Sequence, residues 1–226
     1  MEQDKAKKVA GYQAADLIEQ NMIIGLGTGS TVRYFIDKLS ERVRNGLHIQ
    51  AVSSSLKSLE QASKGGIPLV DINKLSYIDT TVDGADEIDR EKRMIKGGGG
   101  ALLREKIIAS MSREMIVIVD ETKVCGQLGK CKLPVEITPF AYEVTIRKIA
   151  QLGYESRIRS SSDHNVYVTD NGNYIVDITF HQFIEEPLIL DHQLKSIPGV
   201  IETGFFFNLA GRVIIGYADG KIVIKP

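Results

Sequence analysis

The chain has 226 residues, of which 43% are hydrophobic and 25% charged, and its 28 Lys and Arg nearly balance its 29 Asp and Glu, for a formal net charge of -1. This composition excludes intrinsic disorder, and the charge balance provides no positive field that would attract nucleic acid or an anionic membrane. Any charged ligand must therefore be bound by a local cluster of residues.

The first half of the sequence alternates short apolar runs with helical patterns, which is typical of βαβ units. An N-terminal helix is predicted over about 4–20, a second over 30–44, and a third after the glycine run at 97–100. The predicted strands cover 22–26, 48–53, 68–71, 77–82 and 115–120. These elements predict an α/β fold with a Rossmann-like, mainly parallel sheet and helices on both faces.

The second half predicts a smaller α+β subdomain of the ferredoxin-like type. Its elements are a strand at 133–138, a helix opened by Pro139, an extended segment at 154–159, a hairpin of 166–169 with 174–180 around Asn171-Gly172, a helix at 187–196 and a strand at 200–207. They give the order β-α-β-β-α-β with one extra strand, whose place is left open. Strands at 212–217 and 221–225 are predicted to return to the first sheet. We therefore expect one domain of 1–130 with 208–226 and a second of 131–207.

The first candidate site is the glycine-rich segment 25–31, between the first strand and the second helix. Free backbone N–H groups and the helix dipole make such a position a natural anion site. A dinucleotide fingerprint fails because Ser30 occupies the place of its third glycine, and because the second strand ends without an acid. The hydroxyls of Thr28, Ser30 and Thr31 favour a single terminal phosphate. The alternative is a tight turn with a capping serine.

The second candidate is Asp83-Gly84-Ala85-Asp86, directly after a predicted strand. Carboxylates at the carboxyl end of a parallel strand face the ligand crevice, where they can accept hydrogen bonds from sugar hydroxyls. A Mg²⁺ site that includes Glu87 and Asp89 is one alternative. An Asp-Gly turn with solvated acids is the other.

The third candidate is Lys96, followed by four glycines and a helix that carries Glu105. Consecutive glycines suggest that a ligand or another chain segment approaches the backbone closely. Their N–H groups, with Lys96, could stabilise a developing oxyanion, and Glu105 could serve as an acid or base. The alternative for Glu105 is a surface residue favoured by the helix dipole.

The remaining titratable residues add less. Lys123, just beyond a strand, and Lys7, on the first helix, would each alone normally be a solvated surface charge. The four histidines are dispersed, so a zinc site is not expected. Cys125 and Cys131 match neither a CxxC pair nor a disulfide framework, which favours a reduced, cytoplasmic setting. Neither a secretory signal nor a membrane-spanning segment is predicted.

Four separated motifs together resemble one known family. They are GLGTGST at 25–31, VDGADEID at 82–89, MIKGGGGALLREKI at 94–107 and DETK at 120–123. In this order they closely resemble ribose-5-phosphate isomerase of type A, and continuations such as VTDNGN at 168–173 extend the resemblance over essentially the whole chain. The departures are small: Gly100 stands where members often have Ala, and Leu103 where many have Thr.

The resemblance implies an activity and a set of residue roles. The family interconverts D-ribose 5-phosphate and D-ribulose 5-phosphate without a metal or other cofactor, in the non-oxidative branch of the pentose phosphate pathway. Glu105 matches the catalytic base, and Asp83 and Lys96 match further catalytic groups. The substrate-binding positions implied are Lys7, Thr28, Gly29, Ser30, Thr31, Asp83, Gly84, Ala85, Asp86, Lys96, Gly97, Gly98, Gly99 and Lys123. The expected partners are a small sugar phosphate and further copies of the chain, as a homodimer or homotetramer, with no nucleic acid and no membrane.

Other classes of protein share the general fold and stay open at this point. A non-catalytic sugar-phosphate sensor would carry a helix-turn-helix, for which the roughly twenty residues before the first strand are too few. A CoA transferase would form a covalent CoA adduct on a glutamate. A sugar-phosphate deaminase would release ammonia from an amino sugar phosphate.

Overall fold

The computed structural model describes residues 2–226 of the chain. Within that range the chain forms six helices: α1 (Glu2–Asp16), α2 (Ser30–Arg44), α3 (Leu56–Lys64), α4 (Leu102–Ser110), α5 (Tyr142–Ala150) and α6 (Pro187–Lys195). It also forms thirteen strands: β1 (Ile23–Leu26), β2 (Gln50–Ser53), β3 (Ile78–Asp83), β4 (Glu87–Ile88), β5 (Met94–Ile95), β6 (Ser112–Asp120), β7 (Leu133–Ile137), β8 (Glu155–Ile158), β9 (Tyr174–Thr179), β10 (Val200–Thr203), β11 (Phe205–Phe206), β12 (Ala210–Gly216) and β13 (Ile222–Lys225).

The chain divides into two compact units. The first contains the residues through Ala85 together with 104–124 and 208–226, and the second contains 86–103 and 125–207. These units differ from the predicted domains at 86–103 and 125–130, which group with the second unit. The physical reason at 86–103 is that β4 pairs with β5, and β5 pairs with β11, in a small antiparallel sheet of the second unit. As a statement about folding domains, the predicted division stays a prediction.

The first unit contains a six-stranded sheet in the order β13-β12-β6-β3-β1-β2. Five of these strands run parallel, and only the edge strand β13 is antiparallel to its neighbour. The predicted mainly parallel sheet is therefore confirmed, including the return of the two closing strands. Because parallel strands end at the same edge, the segments that follow β1, β2, β3 and β6 all begin at one edge of this sheet.

Helices cover both faces of this sheet, as predicted. Successive residues of a strand point to opposite faces, so β1 and its neighbours contribute to two separate cores. One core joins the sheet to α1 and α2, and it includes Ala10, Ala14, Ile24, Leu26, Phe35 and Ile36. On the other face, Ile108 of α4 packs with Val52 and Ile78.

The second unit contains an antiparallel sheet in the order β10-β7-β9-β8. With α5 between β7 and β8, and α6 between β9 and β10, the elements follow the predicted β-α-β-β-α-β order. Its core includes Leu133, Val135, Ile137, Val176, Ile178 and Leu194, all fully buried. The ferredoxin-like prediction for this part of the chain is therefore confirmed.

Several predicted elements are wrong in detail. The strand predicted at 68–71 is reduced to a single bridge between Ala51 and Leu69, and helix α3 was not predicted at all. Pro139 precedes helix α5 instead of opening it, because the helix begins at Tyr142 after Ala141, whose φ of 52° is left-handed.

The predicted hairpin strand at 166–169 is also wrong, although its turn is present. Strand β9 is paired with β7 on one side and, at 176–179, with β8 on the other, so only its start at Tyr174 is open to the segment 166–169. Within the described residues, 166–169 contributes only isolated bridges, from Val166 to Ser160 and from Val168 to Tyr174. Gly172 adopts the left-handed conformation expected of the turn, with a φ of 78°.

The strand predicted at 200–207 divides at Gly204. The N–H of Gly204 donates to the carbonyl of Pro134 on one side, and its carbonyl accepts from the N–H of Lys96 on the other. A Cβ at this position would lie 2.4 Å from the Lys96 carbonyl oxygen, so the close approach requires glycine. The chain therefore passes from β10, paired with β7, to β11, paired with β5.

Within residues 2–226, no helix combines the length and apolar character needed to cross a membrane.

Candidate active site at the carboxyl edge of the parallel sheet

The loop between β1 and α2 presents an uncapped helix N-terminus. Gly29 is the N-cap residue, with a φ of 125°, and no side chain caps the helix. The capping alternative for Ser30 is therefore wrong, and the first N–H groups of this 15-residue helix point toward the edge of the sheet. Gly29 and Ser30 are exposed, whereas Thr31 is buried. The arrangement suits an anion such as a phosphate.

Asp83, the last residue of β3, binds this loop through its side chain. Its side chain is fully buried, and its Oδ1 accepts hydrogen bonds from the N–H groups of Thr28, at 3.1 Å, and Gly84, at 2.7 Å. A Cβ on Gly27 would lie 2.1 Å from the Asp83 carboxyl carbon, so glycine is required where the loop crosses the carboxylate. The alternative of a solvated acid in an Asp-Gly turn is therefore wrong for Asp83.

The loop between β2 and α3 contacts the loop between β1 and α2 through serines that the sequence analysis did not predict as site residues. The hydroxyl of Ser54, which is fully buried, lies 2.8 Å from that of Thr28. The Ser58 hydroxyl donates to the carbonyl of Gly27 at 2.7 Å, and Ser55 caps α3 by accepting from the Ser58 N–H. The run of three serines at 53–55, at the end of a predicted strand, is the sequence pattern that could have indicated these contacts.

Glu105 lies in the first turn of α4 and is only 4% exposed. Helix α4 packs closely over β1, since a Cβ on Gly25 would lie 2.7 Å from the Ile108 side chain. The surface alternative for this glutamate is therefore wrong.

Two of the three lysines predicted to bind substrate, Lys7 and Lys123, lie on elements that touch each other. Lys123 ends a 3-10 turn, Glu121–Lys123, whose N-cap Asp120 accepts from both the N–H and the hydroxyl of Thr122. The Gln3 amide of α1 donates to the Thr122 hydroxyl at 3.4 Å. Lys7 lies one helical turn after Gln3, on the same side of α1. Both lysines are partly buried.

Lys96 of the second unit is buried and only 2% exposed. Its Nζ lies 5.4 Å from the ring centroid of Phe206, which is within the range of a cation–π contact. Its N–H donates to the carbonyl of Gly204 at 2.8 Å. Lys96 is thus fixed by β11.

The glycine run after Lys96 folds around the carboxylate of Asp86. The N–H of Gly98 donates to Asp86 Oδ2 at 2.7 Å, and a Cβ on Gly98 would lie 2.8 Å from Oδ1. Gly97 and Gly100 have φ values of 102° and 79°, which side chains rarely adopt. Gly98 and Gly99 are exposed, so their backbone is accessible to a ligand.

The acids considered as Mg²⁺ ligands beside Asp86 have structural roles. Asp89 is buried and forms an ion pair with Arg93, with 2.6 Å between Oδ2 and Nε. Glu87 is buried and accepts hydrogen bonds from the N–H groups of Gly129 and Cys131. Across residues 2–226, no group of three or more His, Cys, Asp or Glu side chains is arranged to hold a metal ion.

Cys125 lies two residues after Lys123. Burial, together with the nearby charges of Glu87 and Asp89, raises the pKa of its thiol to about 11. Because the thiolate is the reactive form, the thiolate fraction near neutral pH is about 100-fold lower than for a cysteine of ordinary pKa. Cys125 is therefore a poor nucleophile.

Comparison with known families is decisive. The family model for ribose 5-phosphate isomerase A, also described as phosphoriboisomerase A, matches residues 50–220. The chain belongs to the ribose 5-phosphate isomerase A family. This confirms the resemblance seen in the motifs.

Relatives and solved structures agree over nearly the full length. A ribose-5-phosphate isomerase A from Protochlamydia amoebophila is 53% identical over 220 residues, which cover 97% of this chain and 95% of that one. One from Bacillus mycoides is 46% identical, with coverages of 95% and 96%. The solved ribose 5-phosphate isomerase from Plasmodium falciparum has a TM-score of 0.94 at 38% identity and covers 98% of both chains. A D-ribose-5-phosphate isomerase solved in complex with phospho-erythronic acid has a TM-score of 0.91 at 38% identity, with coverages of 97% and 96%.

Proposed function

We propose that this chain is an aldose–ketose isomerase that interconverts D-ribose 5-phosphate and D-ribulose 5-phosphate, with Glu105 as the base. The observation that carries the assignment of the base is the burial of Glu105 in the first turn of α4, which keeps its carboxyl group from bulk water. Membership of the family supports the substrate and the reaction.

The phosphate of the substrate binds at the N-terminus of α2. The uncapped N–H groups there and the hydroxyls of Thr28, Ser30 and Thr31 supply hydrogen-bond donors. Lys7 and Lys123 supply positive charge from elements that contact each other through Gln3 and Thr122. A monophosphate fits this donor set better than a pyrophosphate, because the loop lacks the third glycine of a dinucleotide-binding turn.

Glu105 carries the proton between the two carbons. It removes the proton from C2 of the open-chain aldose, the C2–H electron pair forms a C1=C2 double bond, and the π pair of the C1 carbonyl moves onto its oxygen to give an enediolate. Return of the same proton to C1, with transfer of a hydroxyl proton between the two oxygens, gives the ketose. A positioned base contributes roughly 10²- to 10⁴-fold, so stabilisation of the enediolate must supply much of the rest.

The other assigned residues act on the oxygens of the sugar. Lys96 and the N–H groups of Gly97 and Gly99 stabilise the negative enediolate oxygen, while the N–H of Gly98 holds Asp86. Asp83, Gly84, Ala85 and Asp86 bind the sugar hydroxyls, and Asp83 is the candidate for opening the furanose ring. Since Asp83 also accepts from the Thr28 N–H, it joins the sugar-binding residues to the phosphate loop.

The proposal predicts the behaviour of Glu105→Gln. The amide keeps the shape of the side chain but cannot accept the proton, so kcat should fall by about 10²- to 10⁴-fold while KM stays within about three-fold. The measurement is a coupled assay of ribose 5-phosphate turnover. The matched control is Glu60→Gln, at an exposed residue of α3 that pairs with Lys64, and it should behave as wild type.

The same assay distinguishes the competing functions. Full activity in the presence of EDTA agrees with the proposal, whereas complete loss on chelation would restore the metal alternative for Asp83 and Asp86. A folded wild-type protein with no turnover would overturn the isomerase. In that case, a covalent CoA adduct would identify a transferase, ammonia release would identify a deaminase, and binding without turnover would identify a sensor.

We also infer a cytoplasmic enzyme that assembles as a homodimer or homotetramer. The cysteine usage supports the reduced compartment, and the assembly follows from the resemblance to the family. Light scattering of the purified protein measures the assembly directly.

A further inference from the structure

We propose that Arg159 is a positioning residue, which fixes the glycine run so that the N–H of Gly98 holds Asp86 and the N–H of Gly99 faces the reacting sugar. This inference rests on the proposed function of that run. Arg159 follows β8 in the second unit, and its Nη1 donates to the carbonyl of Gly97 at 2.9 Å and to that of Gly98 at 3.3 Å. It therefore binds two consecutive peptide groups from their carbonyl side.

The guanidinium of Arg159 is itself held in place by Asp177 of β9. Nε donates to Asp177 Oδ2 at 2.9 Å, and Nη2 donates to Oδ1, so the pair is bidentate. The two side chains are 15% and 16% exposed, which limits screening by water. The Arg159 N–H also donates to the Ile175 carbonyl, so both its backbone and its side chain are anchored on β9.

The contact of Arg159 with the two carbonyls determines where the N–H groups of the same peptides point. In a trans peptide the C=O and the following N–H point in opposite directions. The carbonyls of Gly97 and Gly98 belong to the same peptide groups as the N–H groups of Gly98 and Gly99. Because both carbonyls face Arg159, both N–H groups point away from it, and the Gly98 N–H indeed donates to Asp86 on that side.

The charge of Arg159 adds to the effect of its position. A cation at a carbonyl polarises the peptide group, and chains of hydrogen bonds strengthen one another in this way. The N–H groups opposite Arg159 should therefore be stronger donors, that of Gly98 toward Asp86 and that of Gly99 toward a developing enediolate oxygen. Four consecutive glycines are otherwise conformationally permissive, so a run of this kind needs an external restraint to be preorganised.

Tyr167 contributes a third contact on the same carbonyl side. Its hydroxyl lies 3.4 Å from the Gly99 carbonyl, and a Cβ on Gly100 would lie 2.1 Å from that hydroxyl. The Arg159 guanidinium carbon lies 5.8 Å from the centroid of the Tyr167 ring, and the Tyr167 N–H donates to the Arg159 carbonyl. Tyr167 thus packs the end of the run against the arginine.

The test is Arg159→Lys, which keeps a positive charge beside Asp177. A single ammonium group cannot pair with the carboxylate in bidentate fashion and also bind two carbonyls. We expect kcat to fall roughly 10- to 100-fold, which is no more than the effect of removing one direct oxyanion donor. The KM for ribose 5-phosphate should stay within about three-fold. The inhibition constant of phospho-erythronic acid, whose carboxylate resembles the enediolate, should rise in parallel with the loss of kcat.

The matched control is Arg157→Lys, at a residue of β8 two positions before Arg159. The Arg157 side chain is 81% exposed and pairs with Glu155, so this variant should keep wild-type kcat, KM and inhibition. If Arg159→Lys does not fold, as judged by circular dichroism, Asp177→Asn takes its place, because it loosens the guanidinium without removing it. That variant should show the same split between kcat and KM.

Three outcomes separate this inference from the proposed function. A folded Arg159→Lys with wild-type kcat and unchanged inhibition by phospho-erythronic acid would overturn the role of Arg159, while loss of activity in Glu105→Gln would leave the isomerase mechanism intact. A raised KM with unchanged kcat would also overturn it, since it would place Arg159 in ground-state binding. Absence of turnover in the wild type would instead overturn the proposed function.

Discussion

The absence of a side chain at Gly27 sets the geometry of the loop between β1 and α2, because it leaves room for Asp83. The carboxylate occupies the space that a Cβ on residue 27 would fill, at 2.1 Å from the carboxyl carbon. In that position it accepts from the N–H groups of Thr28 and Gly84. The loop and the end of β3 are therefore one rigid structure, and its shape depends on a glycine that is not itself in a left-handed conformation.

Gly27→Ala should therefore impair catalysis. The added methyl displaces the Asp83 carboxylate and with it the Thr28 N–H, and a displacement of about 1 Å at an active site can reduce activity by up to about 10²-fold. We expect kcat/KM to fall by about 10- to 100-fold. Gly126→Ala is the control, because a Cβ at that position meets no atom within 4 Å. Wild-type kcat/KM in a folded Gly27→Ala protein would contradict the role of Asp83.

The residues found from the sequence and those missed differ in the range of their contacts. Thr28, Asp83 and Glu105 were predicted because each follows a strand or starts a helix within a short motif. Ser54 and Arg159 were missed because their contacts, with Thr28 and with Gly97, join segments 26 and 62 residues apart along the chain. Local patterns reveal such supporting side chains only when the fold that brings them together is known.

At the scale of elements, β6 and β12 are joined by an ion pair at an irregularity in their pairing. The register shifts between Ala210 and Val213, and Arg212 in this stretch pairs with Glu114 of β6, with distances of 2.6 Å and 2.7 Å. The hydrogen bond from Arg212 lowers the pKa of Glu114. Since β6 ends at Asp120, the pair fixes a strand that carries part of the site.

Glu114→Gln should reduce stability in a pH-dependent way. A carboxyl whose pKa is lowered on folding stabilises the protein above its unfolded pKa of 4.5, and this contribution disappears as pH falls through the folded pKa. Because both side chains are partly exposed, the loss at pH 7 should be about 0.5–1 kcal/mol, or about 1–4 °C in Tm. Thermal unfolding at pH 7 and at low pH measures the difference between wild type and variant.

The exposed pair of Glu143 and Arg147 provides the control. Glu143→Gln removes an exposed partner that lies 3.9 Å from Arg147, and it should change Tm little at either pH. A difference between wild type and Glu114→Gln that persisted unchanged at low pH would contradict the assigned pKa shift.

The elements that sequence patterns predicted well are those whose periodicity agrees with their packing. Helix α2 begins and ends where predicted, because its apolar stripe is the face buried against the sheet. The segment 166–169 alternates like a strand, yet β8 already pairs with β9 at 176–179, so the segment bridges to β9 only at Tyr174. Helix α3 was missed because only Ser58 and Ala62 of its nine residues are buried, too few for a clear apolar stripe.

At the scale of the whole molecule, a net charge near zero is compatible with the proposed binding of an anion. Among the residues assigned to substrate, Lys7, Lys96 and Lys123 formally balance Asp83, Asp86 and Glu105, so these six residues contribute nothing to the net charge. Binding of a phosphate therefore depends on the local arrangement of donors, with an uncapped helix and two lysines in the first unit. A bulk positive field is not needed.

The central claim is that, within the first unit, the phosphate lies at the N-terminus of α2 and Glu105 faces the reacting carbons. The most direct test is a crystal structure of this protein with phospho-erythronic acid. We predict that the phosphate accepts hydrogen bonds from the loop at 28–31 and is reached by Lys7 or Lys123, and that the carboxyl end of the ligand lies within about 3–3.5 Å of Glu105. A phosphate bound away from that loop, with Glu105 in contact with no atom of the ligand, would contradict the account.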